Sequence, residues 1–282
     1  MADLAKIVAQ TVAITLEKFS AADVRADEFA VTMVDLCDEK NPVWADHRGA
    51  APVYPASVVK LFYLVAAHQQ MEDGVLADTA ELRRALRDMI VDSGNEATGF
   101  VLDLLTDTTS GPELSPAELL IWHEKRNAVN RYFHARGFPE INANRKTWHD
   151  GPYGRDRQAV EQFMPARNSL TSIATARLLV EIATGQCVSA ARSEQMLELL
   201  RRDFANREDH QACEFIGAAL SRGTKLWSKA GYMSKARHDA ALLEFADGKK
   251  FVLVIFTENH SSQKEIIPAM ARLILDGLNQ SI

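Results

Sequence analysis

The sequence is short of several things, and each shortage removes a class of function. Its 282 residues include three cysteines, Cys37, Cys187 and Cys213, with neither a close pair nor a metal-ligand spacing among them. They read as reduced side chains packed like small hydrophobes, so no disulfide framework, metal centre or cofactor is expected. Lysine and arginine form no long basic run and the formal net charge is −6, which argues against nucleic acid as a partner. The longest apolar run near the C-terminal end, Phe251 to Phe256, is far too short to span a bilayer, so no membrane partner is expected. The opening Met1-Ala2-Asp3-Leu4-Ala5-Lys6 lacks a basic region, an apolar core and a cleavage site. As written it reads as cytoplasmic; a chain trimmed of its signal peptide would be periplasmic or secreted. There is no internal repeat and no low-complexity tract, and no feature sets an oligomeric state.

What is present suits an enzyme with a sizeable core: 47% of residues are hydrophobic and 25% charged. Leu4, Ile7, Val8, Val12, Leu16 and Phe19 recur at helical spacing over 3–19. Glu28 to Leu36 and Pro42 to His47 read as strands. A helix over 57–73 ends at Asp73-Gly74, and further helices are predicted over 79–90 and 96–105. Ser115-Pro116-Ala117-Glu118 is a capping box opening a helix that reaches about Arg136. From Phe138 to Asn168 the periodicity is weak, and a loop that long in a compact domain is usually functional. Helices follow over 171–184, 189–204 and 211–220. Leu226–Ala230, Ala240–Ala246 and Phe251–Thr257 read as strands, the last two joined by Asp247-Gly248, and a helix over 263–278 closes the chain. Strands at both ends and helices between predict an α+β fold: an antiparallel sheet of about five strands flanked by terminal helices. The expected domains are 1–52 with 223–282 for the sheet and 53–222 for an inserted all-helical unit, with the active cleft between them.

The stretch Tyr54 to Ala67 reads as a helix that is apolar on nearly every side, hence buried. It carries Ser57 and, three positions on, Lys60, which share a helix face. A desolvated lysine tends toward the neutral amine, a base for the serine beside it. The same pair also spells an N-cap serine and a snorkelling lysine. Ser93-Gly94-Asn95 stands at the start of the 96–105 helix, where Ser93 and Glu96 also spell a capping box. Lys229-Ala230-Gly231 ends a strand, where lysine guards an edge or glycine admits a ligand to the backbone.

Taken in order, Ser57-x-x-Lys60, Ser93-x-Asn95 and Lys229-x-Gly231 resemble the S-x-x-K, S-D-N and K-T-G motifs of the penicillin-recognising serine hydrolases, the class A β-lactamases and penicillin-binding proteins. The resemblance covers nearly the whole chain and implies their fold and a small-molecule substrate. It implies Ser57 as the nucleophile, Lys60 as the group helping to take its proton, and Ser93 as the relay to the leaving nitrogen. Asn95 would hold Lys60 and a substrate amide, and Lys229 would draw a substrate carboxylate. The backbone N–H groups of Ser57 and Tyr232, the latter just after Gly231, would form the oxyanion hole.

The sequence also departs from that pattern. Glycine replaces the aspartate of the middle motif, and Ala230 the hydroxyl residue of the third, for which Arg237 or His238 is expected to compensate. The 36-residue spacing from Ser57 to Ser93 is short. The deacylating glutamate of class A enzymes, in E-x-x-L-N, has its nearest match at Glu140-Ile141-Asn142-Ala143-Asn144. Glu140 is therefore the candidate base, with Asp150, Asp156 and Glu161 in the same loop as alternatives. The expected activity is hydrolysis of a β-lactam or related amide through an acyl-Ser57 intermediate. A D,D-peptidase, amidase or esterase on the same scaffold, or a penicillin-binding sensor that does not turn over, are the alternatives.

Overall fold

The computed structural model describes residues 3–148 and 150–279. Its strands are β1 (Phe29–Asp35), β2 (Val43–His47), β3 (Arg201–Arg202), β4 (Lys225–Met233), β5 (Ala236–Glu244) and β6 (Lys250–Glu258). They form one antiparallel sheet in the order β2-β1-β6-β5-β4-β3. Side chains alternate across a strand, so each strand feeds two cores. Val31, Met33, Leu253 and Ile255 face α1 (Leu4–Lys18) and α11 (Ile266–Asn279). Ala30, Val34, Val252, Val254 and Phe256 face the opposite way, toward α8 (Ser172–Ala183) and the other helices. Burial on both faces is why β1 and β6 read as nearly continuous apolar runs.

The second core is centred on α2 (Lys60–Glu72), entered through a 3-10 turn at Ala56–Val59. Leu61 through Ala67 are all buried, as the all-round apolar pattern predicts. Phe62 packs edge-on against Phe133 and Phe138, with ring centroids 4.8 and 6.3 Å away. Around α2 lie α3 (Ala80–Ile90), α4 (Asn95–Thr106), α6 (Ala128–Ala135) and α9 (Ala190–Leu200). Among the described residues no helix is long and apolar enough to cross a membrane, and no group of His, Cys, Asp and Glu could hold a metal ion.

The α+β architecture is as expected, and the differences have local causes. The helix expected over 116–136 is two, α5 (Pro116–Arg126) and α6, broken at Asn127, whose side-chain amide donates to the His123 carbonyl. The helix expected over 189–204 stops at Leu200, and Arg201–Arg202 add a sixth strand beside β4. The segment expected as helix 211–220 is the short α10 (His210–Cys213) and a 3-10 turn at Ile216–Ala219, packed with α1 and α11 on the outer sheet face. Strand β5 begins at Ala236, because Arg237, His238 and Asp239 are buried strand residues despite their polarity.

The stretch 138–168 contains α7 (Gly154–Gln162) and is otherwise held by asparagines standing in for a ladder. The Asn168 amide oxygen accepts the N–H groups of Asn144 (3.1 Å) and Arg145 (2.9 Å), and its amide nitrogen donates to the Arg145 carbonyl. Asn130 donates to the Asn142 side chain and accepts the Ala143 N–H. The Tyr63 hydroxyl of α2 donates to the same Arg145 carbonyl at 2.7 Å, tying the stretch to the central helix.

Candidate active site

The three motifs converge on one cleft of about 780 Å³, lined by Ser57, Ser93, Asn95, Gly231 and Tyr232 among others. Ser57 lies in the 3-10 turn, one residue after Ala56, whose φ of +46° places it in the left-handed region. Ser93 is also left-handed, at φ +57°. For residues with a Cβ such a conformation is costly, and it clusters where function holds it in place. At Ser93 it settles the choice left open by the sequence. Gly94, not Ser93, is the N-cap residue of α4, and no side chain caps it. The Ser93 hydroxyl is turned instead toward two lysines.

Lys60 is buried in the first turn of α2 and donates to the Ser93 carbonyl (2.6 Å), the Ser93 Oγ (3.1 Å) and the Asn95 Oδ1 (3.0 Å). Burial holds its pKa down at about 7, with the Glu96 charge a lesser influence in the opposite direction. Lys229, fully buried on β4, donates to the other side of the Ser93 Oγ at 3.0 Å. Burial, then the nearby charges of Lys60 and Arg202, lower its pKa well below the usual lysine value. One hydroxyl therefore bridges two amines that both favour losing a proton. Ser57 makes no side-chain hydrogen bond to any described residue; its hydroxyl is free in the cleft beside this network.

Gly231 explains how the strand meets the serine turn. A Cβ there would stand 2.7 Å from the Ser57 amide nitrogen and 2.9 Å from that of Val58. Only glycine admits this approach, which lays the Gly231–Tyr232 backbone against the Ser57 N–H.

Not every expected residue belongs to this cluster. Glu140 is exposed in the turn after α6 and does not line the cleft. Asp150 and Glu161 are exposed as well, and Asp156 is buried 3.5 Å from Arg126. Instead Thr147 and Trp148 of that stretch reach the cleft wall. The Thr147 Oγ1 is buried with no hydrogen-bond partner among the described residues. Arg237 does not compensate for Ala230: its guanidinium donates to the Glu214 carbonyl at 3.0 Å and stacks 4.0 Å over the Phe215 ring. His238 is fully buried against the Tyr54 carbonyl, and burial lowers its pKa to about 4, so it is neutral.

Two cleft residues escaped the sequence reading. Arg202, on β3, donates to the carbonyls of Ile90 (2.7 Å), Val91 (2.9 Å) and Ser228 (3.2 Å). Gln211, on α10, accepts from Lys229 at 2.5 Å and donates to the Val91 carbonyl at 2.7 Å. Both were hidden in segments read as plain helix, and no local spacing marks either.

Solved structures of the same fold include a β-lactamase from Sphaerobacter thermophilus, at 19% identity and a TM-score of 0.69, covering 96% of this chain and 98% of that one. Another is a β-lactamase from Xanthomonas campestris, at 14% identity and a TM-score of 0.73, covering 99% of this chain and 100% of that one. A mutant of PBP-A, solved as an acyl-enzyme complex with penicillin G, is 16% identical with a TM-score of 0.67, covering 97% of each chain. At these identities the likeness is one of fold. No protein of curated function matches at a significant level. The sequence model of the β-lactamase enzyme family, however, matches residues 13–278, and the chain belongs to that family.

Proposed function

We propose that this family member is a serine hydrolase that opens a β-lactam, or a related cyclic or D-amino-acid amide, through an acyl-Ser57 intermediate. The observation that carries the reading is the Ser93 hydroxyl, held at 3.1 Å from Lys60 and 3.0 Å from Lys229 beside the unengaged hydroxyl of Ser57. Neutral Lys60 takes the Ser57 proton as Oγ attacks the amide carbon. The carbonyl oxygen becomes an oxyanion that accepts the Ser57 and Tyr232 N–H groups, each donor worth about 3–4 kcal/mol. When the oxyanion collapses, the C–N bond breaks, and the proton passes from Lys60 through the Ser93 hydroxyl to the leaving nitrogen. Water then cleaves the ester and returns Ser57. Turnover of a chromogenic cephalosporin, or of whichever amide reacts, should fall by about 10³-fold or more in Ser57→Ala. Undiminished turnover would contradict the reading.

A second reading differs in the last step. Among the described residues the carboxylates at the cleft are Asp92, Glu208 and Asp209, and none comes from the 138–168 stretch, which contributes Thr147 and Trp148. This favours slow release of the acyl group, as in a penicillin-binding protein or a D,D-peptidase. A mutant of PBP-A, of the same fold, was solved as an acyl-enzyme with penicillin G. Release of D-alanine from a D-Ala-D-Ala peptide, with little cephalosporin turnover, would favour the second reading; the reverse would favour the first.

A further inference from the structure

The turn that carries Ser93 has little of its own to hold it. Ser93 is in the left-handed region, and the next residue, Gly94, brings no side chain. The Gly94 N–H donates to the Asp88 carbonyl at 2.8 Å, so the turn follows wherever the end of α3 goes. That end is held by Arg202. Ile90 closes α3 and Val91 is its C-cap, so their carbonyls have no further helical turn to bond to. The Arg202 Nη2 donates to the Ile90 carbonyl at 2.7 Å and its Nη1 to the Val91 carbonyl at 2.9 Å, a cation placed where a helix C-terminus favours one. The Nε of the same guanidinium donates at 3.2 Å to the carbonyl of Ser228, the residue before Lys229 on β4. One rigid plane thus ties the neighbour of Lys229 to a residue two before Ser93. Beside that tie the Lys229 Nζ meets the Ser93 Oγ at 3.0 Å. Asp209 pairs with the Arg202 Nη1 at 3.7 Å and offsets its buried charge. Gln211 doubles the link: its Nε2 donates to the Val91 carbonyl at 2.7 Å, and its Oε1 accepts from Lys229 at 2.5 Å. Lys60 reaches Ser93 from α2 and is held by the Asn95 Oδ1 as well, at 3.0 Å.

We propose that Arg202 is a positioning residue: it clamps the Ser93 turn to β4, so that the Ser93 hydroxyl stays on Lys229 and can hand a proton to the leaving nitrogen. This rests on the proposed acyl-Ser57 reaction and adds which residue sets its proton relay. Arg202 acts through Ser93 and not on the reacting atoms, so its loss falls on the step that needs a proton delivered. A penicillin nitrogen must be protonated as its C–N bond breaks. In p-nitrophenyl acetate the C–O bond breaks instead, and p-nitrophenolate leaves with the electron pair and takes no proton. Lys60 receives the Ser57 proton in both reactions.

Arg202→Lys keeps the charge, but an ammonium is a point and cannot span three carbonyls. A crystal structure of this variant should show the Ser93 Oγ and Lys229 Nζ parted beyond hydrogen-bond reach, with the bond from Lys60 to Asn95 kept. Acylation of the full-length chain by penicillin G, read by intact mass, should slow about a hundredfold. Acylation by p-nitrophenyl acetate, read by the released nitrophenolate, should change little. With Ser93→Ala already present, Arg202→Lys should slow the penicillin reaction no further. If Arg202→Lys does not fold, Arg202→Gln is read in the same way. A variant that keeps the bond between Ser93 and Lys229, or that slows both acylations equally, would overturn the proposal. So would a full further loss in the Ser93→Ala background. A wild-type chain acylated by neither compound would overturn the reading of Ser57 alone; the distance in the variant's crystal structure decides the role of Arg202 in every case.

Discussion

The two walls of the cleft are built differently. On one, α2, the start of α4 and β4 bring Lys60, Ser93, Asn95 and Lys229 into direct hydrogen bonding, with Gly231 laid against the Ser57 amide. On the other, the 138–168 stretch is held by side-chain amides and presents Thr147, whose hydroxyl has no partner among the described residues. The first wall has the donors, acceptors and depressed lysine pKa values that bond formation at Ser57 requires. Among the described residues, the second puts no carboxylate at the cleft. In the proposed reaction, forming the acyl-enzyme falls to the first wall and releasing it to the second.

The largest effect that could break this contrast lies at Lys60. Lys60→Met removes the base of the first wall, and the rate of adduct formation should fall by about 10²–10⁴-fold. In the unaltered protein the same rate should fall as the pH drops through about 7, since the amine that accepts a proton is then converted to ammonium. A stopped-flow profile that is flat from pH 5 to 9 would remove Lys60 from the mechanism. Next in size is Gly231→Ala. Its methyl group would meet the Ser57 nitrogen at 2.7 Å, so the strand and the serine turn must part. Displacement by an ångström costs about 10²-fold in acylation, which the same assay reads.

Thr147→Glu sharpens the contrast from the other side. A carboxylate on the second wall should shorten the lifetime of the adduct by about a hundredfold, at the low end of what a positioned base supplies, and leave its formation rate unchanged. Intact mass at successive times measures both. The smallest effect belongs to neither wall. His68 of α2 is buried with both ring nitrogens unpartnered among the described residues, and burial lowers its pKa to about 4. The unfolded chain binds that proton at about 6.5, so stability should fall as the pH drops from about 6.5 to 4 and level off below. The loss should be on the order of 1–3 kcal/mol, and His68→Met should remove it from urea titrations.

Much of the first wall was legible because its rules are local. Ser57 and Lys60 are three residues apart across the 3-10 turn that opens α2, and Lys229 and Gly231 are two apart on one strand face, so spacing alone places each pair together. The role of Ser93 was ambiguous in the sequence, since the same letters spell a cap; only its left-handed backbone distinguishes the two. Arg237 was misplaced because strand register was invisible. It pairs with Tyr232, on the face opposite Lys229, and there it meets Glu214 and Phe215. Arg202 and Gln211 reach the cleft only through the edge strand and the short α10, neither of which carries a periodic signal. The loop was opaque for a related reason: its order comes from asparagine side chains bonding to backbone across some twenty residues, a pattern with no period.

The most direct test of the account is the mass of the intact protein after mixing with penicillin G. The account predicts the gain of one whole penicillin on Ser57 at the earliest times after mixing, absent from Ser57→Ala, with the speed of its loss separating the two readings. A wild-type chain that neither gains mass nor consumes the penicillin, or a Ser57→Ala chain that gains it equally, would contradict it.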